Sequence, residues 1–315
     1  MSAVRVIAVA NQKGGVGKTT TVANLGAALA RAGLCVGLID LDPQANLTMH
    51  FGVEPGSPPA SIYDVLTAGL ALGRATMIVQ PNLLLVPSVI DLAAAEIELA
   101  GAVGRERILR DRLAEQHLPT DLILLDCPPS LGLLTLNALA AADEVLIPLQ
   151  PHFLPLQGLG KLLETVALVQ KRINPPLRVG GVVFVMYEGA TRLAGEVVQD
   201  VQAFFEQART AGGPWSGVRV FSTRVRRNIK LAECPSFGTT IHQYDPASHG
   251  ATDYSALAAE FMEHFGLAPR QAEAAPAASA EAPVAREQPA APAPANGSAE
   301  PHAAPPAPPE AGGGS

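Results

Sequence analysis

Short apolar runs alternate with longer segments of helical periodicity along the first 266 residues of the chain. The apolar runs, which are rich in β-branched residues, predict buried strands at 4–10, 35–40, 82–87, 122–126, 144–149, 179–185 and 218–221. The segments with a period near 3.6 predict helices at 18–32, 92–115, 131–141, 157–173, 192–211 and 252–265. Strands that alternate with helices favour a mostly parallel sheet covered by helices on both faces. The pattern therefore predicts a single α/β domain.

A glycine-rich segment, Asn-Gln-Lys-Gly-Gly-Val-Gly-Lys-Thr-Thr, follows the first predicted strand at 11–20. A strand, such a loop and then a helix form a phosphate-binding loop, because glycines let backbone N–H groups surround phosphate oxygens at a helix N-terminus. In this geometry Lys18 reaches the β- and γ-phosphates and the Thr19 hydroxyl ligates Mg²⁺. Gln12 stands where the general P-loop pattern has its first glycine, and Lys13 adds a second lysine. The segment predicts a P-loop NTPase domain whose phosphate site is completed by Gly14, Gly15, Val16, Gly17 and Thr20.

Carboxylates end two further predicted strands. Asp40 and Asp42 lie at the end of the run 35–40, and Asp126 ends the run 122–126. Ligands of open parallel sheets bind at the carboxyl ends of the strands, so these side chains are expected beside the phosphate loop. A carboxylate there suits Mg²⁺, usually through water, which is the role we expect for Asp126. Asp40 has two open interpretations, a site residue or a hydrogen-bond acceptor for the loop backbone, and Cys127 is expected to be a small buried residue.

The composition changes after Gly266. Residues 268–315 are mostly Ala, Pro, Glu and Gly and contain no aromatic residue, so we expect a disordered tail that follows an ATPase domain at 1–267. The formal net charge of −7 excludes a globally basic nucleic-acid binder. The three cysteines have no metal-binding spacing and fit a reducing cytosol. No uninterrupted apolar run approaches the roughly 20 residues of a membrane helix, so no membrane partner is expected.

One basic cluster stands out on this acidic chain, Arg-Val-Arg-Arg-Asn-Ile-Lys at 224–230. From the pattern alone it is either a solvated charged loop or a surface for nucleic-acid phosphates. Contacts of the second kind position a protein on DNA without reading the base sequence.

Together these motifs resemble the ParA/Soj partition ATPases, the branch of the ParA/MinD superfamily with a deviant Walker A loop. The resemblance is carried by the Lys13–Thr20 loop, by Asp-Leu-Asp-Pro-Gln at 40–44 and by Asp-Cys-Pro-Pro-Ser-Leu-Gly at 126–132. It extends over roughly residues 4–266 and includes Gly-Leu at 158–159, Arg-Asn at 227–228 and Tyr-Asp-Pro at 244–246.

The resemblance implies a slow, Mg²⁺-dependent hydrolysis of ATP that a partner protein stimulates. In this scheme Lys13 and Lys18 act on the phosphates, with Lys13 approaching the facing subunit of an ATP-dependent homodimer. Asp42 orients the attacking water, and Asn228 belongs to the nucleotide site. The ATP-bound dimer is expected to bind DNA non-specifically through Arg227 and Lys230, supported by Arg224 and Arg226. The implied setting is a cytoplasmic, nucleoid-associated protein that segregates chromosomes or plasmids with a ParB-like partner or a cargo adaptor.

The chain departs from the family pattern on its outer surfaces. Ala190 occupies the position of an arginine in the family's Asp-x-Arg-Thr element, and Arg192 is the nearest replacement. The family's Pro-Arg-Asn reads Arg-Arg-Asn at 226–228, and its Glu-Tyr-Tyr-x-Leu-Glu-Gly element has lost both glutamates at 152–158. These changes concern DNA and cargo rather than the phosphate site.

Four alternatives remain open at the level of sequence. The same ATPase could position a non-chromosomal cargo. A MinD-like membrane cycle would need a basic amphipathic C-terminal helix, which 268–315 do not offer. An iron–sulfur reductase would need cysteines placed to bridge a dimer. A metabolic P-loop synthetase would need a small-molecule acceptor.

Overall fold

A computed structural model describes residues 4–56, 58–116, 118–151, 155–189, 192–211 and 213–269. The expected tail therefore lies outside the described residues from residue 270 onward. Within the described ranges the strands are β1 Arg5–Val9, β2 Val36–Asp40, β3 Met77–Gln80, β4 Leu83–Val86, β5 Leu122–Asp126, β6 Glu144–Leu149, β7 Arg178–Tyr187 and β8 Arg219–Arg226. The α-helices are α1 Lys18–Arg31, α2 Asn46–His50, α3 Ile62–Thr67, α4 Leu92–Glu98, α5 Ile108–Glu115, α6 Leu133–Ala141, α7 Pro155–Arg172, α8 Arg192–Ala211, α9 Ile229–Glu233, α10 Ile241–Tyr244 and α11 His249–Phe265.

The strands form one sheet in the order β3-β4-β2-β5-β1-β6-β7-β8, and only the β3–β4 pair is antiparallel among the described strands. Along β1 the side chains of Val6 and Ala8 enter one hydrophobic core, and those of Ile7 and Val9 enter the other. The first core is closed by α3 to α8 and the second mainly by α1 and α11. The expected mostly parallel sheet with helices on both faces is confirmed.

Two predicted elements differ from the structure, and one strand was missed. The predicted helix 92–115 is interrupted over 99–107, where Gly101 and Gly104 fall and where Gly104 has a φ of +72°. The predicted strand 218–221 extends to Arg226, so the first three residues of the basic cluster belong to a strand rather than a loop. The edge strand β3 was not predicted because it is only four residues long and none of its residues is fully buried.

Strand register places the candidate site at the centre of the carboxyl edge. Val9, the last residue of β1, pairs with Asp126 at the tip of β5, and Asp126 pairs in turn with Asp40 at the tip of β2. The phosphate loop after β1 and both carboxylate-tipped strands therefore meet at one place, as the sequence predicted.

Glu260 of α11 fastens β8, the strand that leads into the basic cluster. Its carboxylate accepts hydrogen bonds from the backbone N–H groups of Ser222 at 2.8 Å and Thr223 at 2.9 Å. Burial by itself raises the pKa of Glu260, but these donors outweigh it and lower the pKa to about 2. β8 lies at the edge of the sheet. On its outer side the Glu260 carboxylate accepts two backbone hydrogen bonds that a neighbouring strand would otherwise accept.

Replacing Glu260 with Gln is expected to lower the free energy of unfolding by about 1 kcal/mol at pH 7, because a charged acceptor becomes a neutral one. The folded-state pKa lies below the ordinary value of 4.5, so the stabilisation is complete above that pH and declines as the pH falls towards 2. Urea unfolding of both proteins between pH 3 and 7 should show the difference narrowing in acid. A difference that stays constant over this range would contradict the assignment.

Candidate active site

The loop after β1 has the backbone conformation of a phosphate cradle. Gly15 and Gly17 have φ values of +72° and +80°, a left-handed region that disfavours residues with a Cβ. Asn11 anchors the loop at its base, because its side-chain amide donates to Pro148 O at 2.7 Å and its Oδ1 accepts from the Lys13 N–H at 3.0 Å. The glycine positions are therefore required by the shape of the loop.

The two lysines of the loop occupy different environments. Lys18 is 6% exposed, and its Nζ donates to Lys13 O at 3.4 Å across the loop. Burial lowers the pKa of Lys18, while the carboxylates of Asp126 and Asp42 oppose this decrease. Lys13 is exposed, with only its backbone fixed by Asn11. The structure thus places one lysine inside the cradle and leaves the other available outside it.

Asp126 is the carboxylate whose surroundings fit a cation. It is fully buried, and neither of its oxygens has a hydrogen-bond partner of standard geometry among the described residues. Burial and the nearby Asp40 raise the pKa of Asp126 well above its ordinary value, against the opposing effects of the Thr19 hydroxyl and the Lys18 ammonium. An orphaned buried carboxylate beside a threonine hydroxyl and a phosphate cradle is a donor set that fits Mg²⁺.

The other two carboxylates serve the loop that follows β2. Asp40 is fully buried and accepts from the N–H of Asp42 at 3.1 Å and from the N–H and hydroxyl of Thr48 at 2.9 and 2.7 Å. Burial raises the pKa of Asp40 to about 7, although these donors oppose it. Of the two interpretations left open for Asp40, the structure supports the acceptor for loop backbone.

Asp42 lies at the wall of the phosphate cavity. Its Oδ1 accepts from the Gln44 N–H at 3.0 Å, which fixes the carboxylate relative to its own loop. The cavity measures about 640 Å³, and its lining includes Gly14, Gly15, Gly17, Lys18, Thr19, Thr20, Asp42 and Pro129. The structure therefore brings the predicted phosphate residues, Thr19 and Asp42 to one cavity, where Val16 is buried beneath the loop. Asp126 does not line this cavity, but it is buried close enough to Thr19, Lys18 and Asp42 to interact with them.

A second, more apolar cavity of about 330 Å³ adjoins the first through Gly17 and Thr20. It is walled by Val185, Met186, Tyr254 and the segment 225–229, which includes Asn228. The Asn228 side chain also caps α9 by accepting from the Lys230 N–H at 2.9 Å. A flat apolar group joined to a phosphate chain, such as a nucleobase with its ribose, fits the two adjoining cavities.

The basic cluster consists of cations that already have partners. The Arg226 guanidinium binds both oxygens of Asp253 at 2.6 to 3.2 Å, and the Arg226 N–H also donates to Asp253. Arg224 lies over the Tyr187 ring at 4.7 Å and donates to its hydroxyl. These contacts hold both strand arginines in place.

Arg227 and Lys230 have looser ion pairs than Arg226. Arg227 pairs with Glu188 at 2.8 Å, and its side chain is 75% exposed. Lys230 pairs with Glu233 at 3.5 Å and is 43% exposed. Such exposed pairs contribute little stability, so these two cations are the ones a polyanion could recruit.

Three further predictions concern Cys127, the position of the family's arginine at Ala190, and helices that could cross a membrane. Cys127 is buried, and burial raises the pKa of its thiol, which agrees with a small core residue and disfavours a thiolate metal ligand. Ala190, where the family has an arginine, lies outside the described residues, and Arg192 forms an exposed pair with Glu196 at 2.8 Å. None of the helices in the described ranges combines the length and apolarity needed to cross a membrane.

Sequence reasoning missed two buried hydroxyls beside Asp42. Thr48 binds Asp40, and the Ser88 hydroxyl donates to Asp42 O at 2.8 Å. Both side chains are fully buried. Thr48 follows Asp42 by six residues and lies in the short helix α2, and Ser88 follows a different strand, so no spacing pattern links them to the site.

Comparisons with known proteins agree with this geometry. The family model described as an AAA domain matches residues 4–179. The chromosome-partitioning ATPase Soj of Treponema pallidum (strain Nichols) is 46% identical over 258 residues, which cover 81% of this chain and 96% of that protein. The sporulation initiation inhibitor protein Soj of Bacillus subtilis (strain 168) is 43% identical over 259 residues, with 81% and 97% covered.

A solved structure of cobyrinic acid a,c-diamide synthase from Mycobacterium smegmatis, with bound ADP and magnesium, has a TM-score of 0.71 at 37% identity and covers 84% of this chain and 96% of that chain. The fold, the deviant phosphate loop, both carboxylate-tipped strands and this extent of identity lead to one conclusion. The chain belongs to the Soj/ParA family of partition ATPases, within the ParA/MinD superfamily.

Proposed function

We propose that this protein is a partition ATPase that dimerises on ATP, binds DNA non-specifically in that state and is released when a partner stimulates hydrolysis. The observation that supports it most directly is the cavity that joins the Lys18 cradle to Asp42, with the orphaned carboxylate of Asp126 buried next to Thr19 and Lys18 of its lining. ATP and Mg²⁺ are the substrate and the cation, as in the similar structure that carries ADP and magnesium. The proposed setting is the cytoplasm, with the protein held on the nucleoid.

Catalysis is divided among the residues of the cavity. Lys18 and the backbone N–H groups of the loop neutralise phosphate charge, which is the largest contribution in phosphoryl transfer. Thr19 and Asp126 would hold the cation, and Mg²⁺ bound there would supply further neutralisation of phosphate charge. Asp42 orients the water that attacks the γ-phosphate, and the apolar cavity at Asn228 takes the nucleobase.

The exposed Lys13 is assigned to the dimer. A lysine outside its own cradle is free to reach the phosphates of a facing subunit, as an arginine finger does in trans. ATP would then join two subunits face to face and bring two copies of the basic cluster onto one surface. Two weak sites on one particle bind a continuous polyanion far more tightly than either alone.

This bivalency explains how a chain of net charge −7 could hold DNA in one nucleotide state only. Arg227 and Lys230 are the proposed phosphate contacts, and Arg224 and Arg226 support the backbone that carries them. A ParB-like protein or a cargo adaptor is the proposed partner, and the positioning of a non-chromosomal cargo by the same cycle is the nearest variant.

A second candidate is a metabolic synthetase, which the similarity to the M. smegmatis synthase favours. The two functions differ in their need for an acceptor. Hydrolysis of ATP in the absence of any small-molecule acceptor, increased by DNA, supports the partition ATPase, and strict dependence on an acceptor supports the synthetase.

Replacing Lys18 with Ala is expected to reduce ATP turnover by about 100-fold or more, because a buried cation beside the phosphates is removed. Turnover is measured by phosphate release with Mg²⁺ present. Lys161→Ala, on the exposed side of α7, is the matched control and should behave as wild type. Unchanged turnover in Lys18→Ala would disprove the assignment of the phosphate site.

Replacing Asp42 with Ala should leave ATP binding intact and lower turnover by about 100-fold, because the residue acts on water rather than on the nucleotide. Equilibrium binding of labelled ATP and sedimentation of the ATP-bound protein should show a persistent dimer. Asp111→Ala on α5 removes an exposed carboxylate and serves as the control. A variant that fails to bind ATP would instead assign Asp42 to the structure or to the cation.

Replacing both Arg227 and Lys230 with Gln should weaken ATP-dependent binding to random duplex DNA. The slope of the logarithm of the binding constant against the logarithm of the salt concentration should become shallower by about one for each cation that no longer pairs with a DNA phosphate. Fluorescence anisotropy over a salt series measures both quantities. Lys171→Gln with Arg172→Gln gives the same change of charge at the opposite edge of the sheet, where α7 ends before β7 begins.

The internal ion pairs provide a test in the opposite direction. Glu188→Gln with Glu233→Gln releases the same two cations and should strengthen DNA binding. If the wild-type ATP-bound protein does not retain random DNA even at low salt, the nucleoid is not its matrix and the DNA part of the proposal is wrong.

A further inference from the structure

Four buried polar groups near the cavity form a closed ring of hydrogen bonds. Asp40 accepts from the Asp42 N–H at 3.1 Å and from the Thr48 hydroxyl at 2.7 Å. The Thr48 oxygen accepts from the Ser88 N–H at 2.8 Å, and the Ser88 hydroxyl donates to Asp42 O at 2.8 Å. Asp42 therefore takes part in the ring through two backbone groups, its N–H and its carbonyl oxygen.

The members of the ring come from separate parts of the fold. Asp40 ends β2, Thr48 lies in α2, and Ser88 follows β4, the strand next to β2. Asp40, Thr48 and Ser88 have no exposed surface, so water cannot replace a missing partner in the ring. Asp42 itself is 7% exposed and is the member that reaches the phosphate cavity.

The ring restrains the backbone on both sides of the Asp42 side chain. Its N–H is fixed by the tip of β2 and its carbonyl by the Ser88 hydroxyl, while the Gln44 N–H fixes one carboxylate oxygen. A short polar side chain held in this way has little freedom left. Hydrolysis depends on a water placed to within a fraction of an ångström, so such restraint bears directly on turnover.

We infer that Thr48 and Ser88 are positioning residues for ATP hydrolysis, which act by holding the Asp42 carboxylate in place and make no contact with the nucleotide themselves. The inference rests on the proposed role of Asp42 as the residue that orients the attacking water. Neither residue lies among the side chains that line the phosphate cavity. Their removal should therefore affect the chemical step and leave nucleotide affinity unchanged.

Thr48→Val preserves the shape of the side chain and removes the hydroxyl at the centre of the ring. We expect kcat to fall about tenfold while the KM for ATP changes by less than about twofold, because the catalytic carboxylate loosens and the phosphate cradle does not. Thr48→Ser restores the hydroxyl and should recover most of the turnover. Ser88→Ala breaks the ring at a different bond and should resemble Thr48→Val.

A double-mutant cycle separates positioning from a general loss of stability. In an Asp42→Ala background Thr48→Val should cause no further loss of turnover, because there is no carboxylate left to position. Single-turnover hydrolysis of radiolabelled ATP resolves the slow rates. Thr165→Val, on a helix that contributes no member of the ring, removes a hydroxyl hydrogen bond to Lys161 O at 3.0 Å and is the matched control.

Each outcome supports or overturns the positioning role. A tenfold loss that persists on top of Asp42→Ala, a parallel rise in the KM for ATP, or failure of Thr48→Ser to recover turnover would overturn it. If Asp42→Ala alone turns over ATP like wild type, the proposed role of Asp42 fails, and the positioning role fails with it. Results that overturn only the positioning role do not affect the proposed function, whereas wild-type turnover in Asp42→Ala contradicts the proposed role of Asp42 itself. The two failures are therefore distinguishable.

Discussion

Burial of ionisable groups at the carboxyl edge of the sheet is the constraint on which the rest of the site depends. Asp40 and Asp126 have no exposed surface, and Lys18 has little. Charges removed from water are costly unless they are paired. Asp40 is satisfied by its own loop, but Asp126 has no hydrogen-bond partner of standard geometry within the described residues, and Lys18 reaches only a distant carbonyl. The edge of the sheet thus leaves a buried carboxylate and a buried ammonium group without close partners, which suits a ligand that carries both an anion and a cation.

The sequence was sufficient for the parts of the fold in which one physical signal dominates. Buried strands such as β1, β2 and β5 are continuous apolar runs, and the phosphate loop is fixed by glycines at positive φ. The end of the predicted helix 92–115 was less visible, because Leu99 still packs in the core while the backbone around Gly101 and Gly104 already departs from an α-helix. The local sequence pattern therefore predicts which residues are buried better than it predicts where a helix ends.

Partners that are distant in the chain were beyond the sequence. Nothing in the run 224–230 shows that Arg226 is clamped by Asp253 or that Arg227 faces Glu188. The pair between Lys230 and Glu233 is, by contrast, local to α9. The bond between Ser88 and Asp42 joins residues 46 positions apart. Charge and motif identify which residues carry chemistry, whereas their availability depends on contacts that only the folded chain creates.

The segment 226–228 belongs to two surfaces at once. On one side it walls the apolar cavity beside Gly17 and Thr20, and on the other it forms the middle of the basic cluster 224–230. Two ligands that bias the same short segment are thermodynamically linked, and linkage is reciprocal. If an adenine nucleotide raises the affinity for a polyanion by some factor, the polyanion must raise the affinity for that nucleotide by the same factor. If that polyanion is the DNA of the proposed function, it would also be an effector of ATP binding.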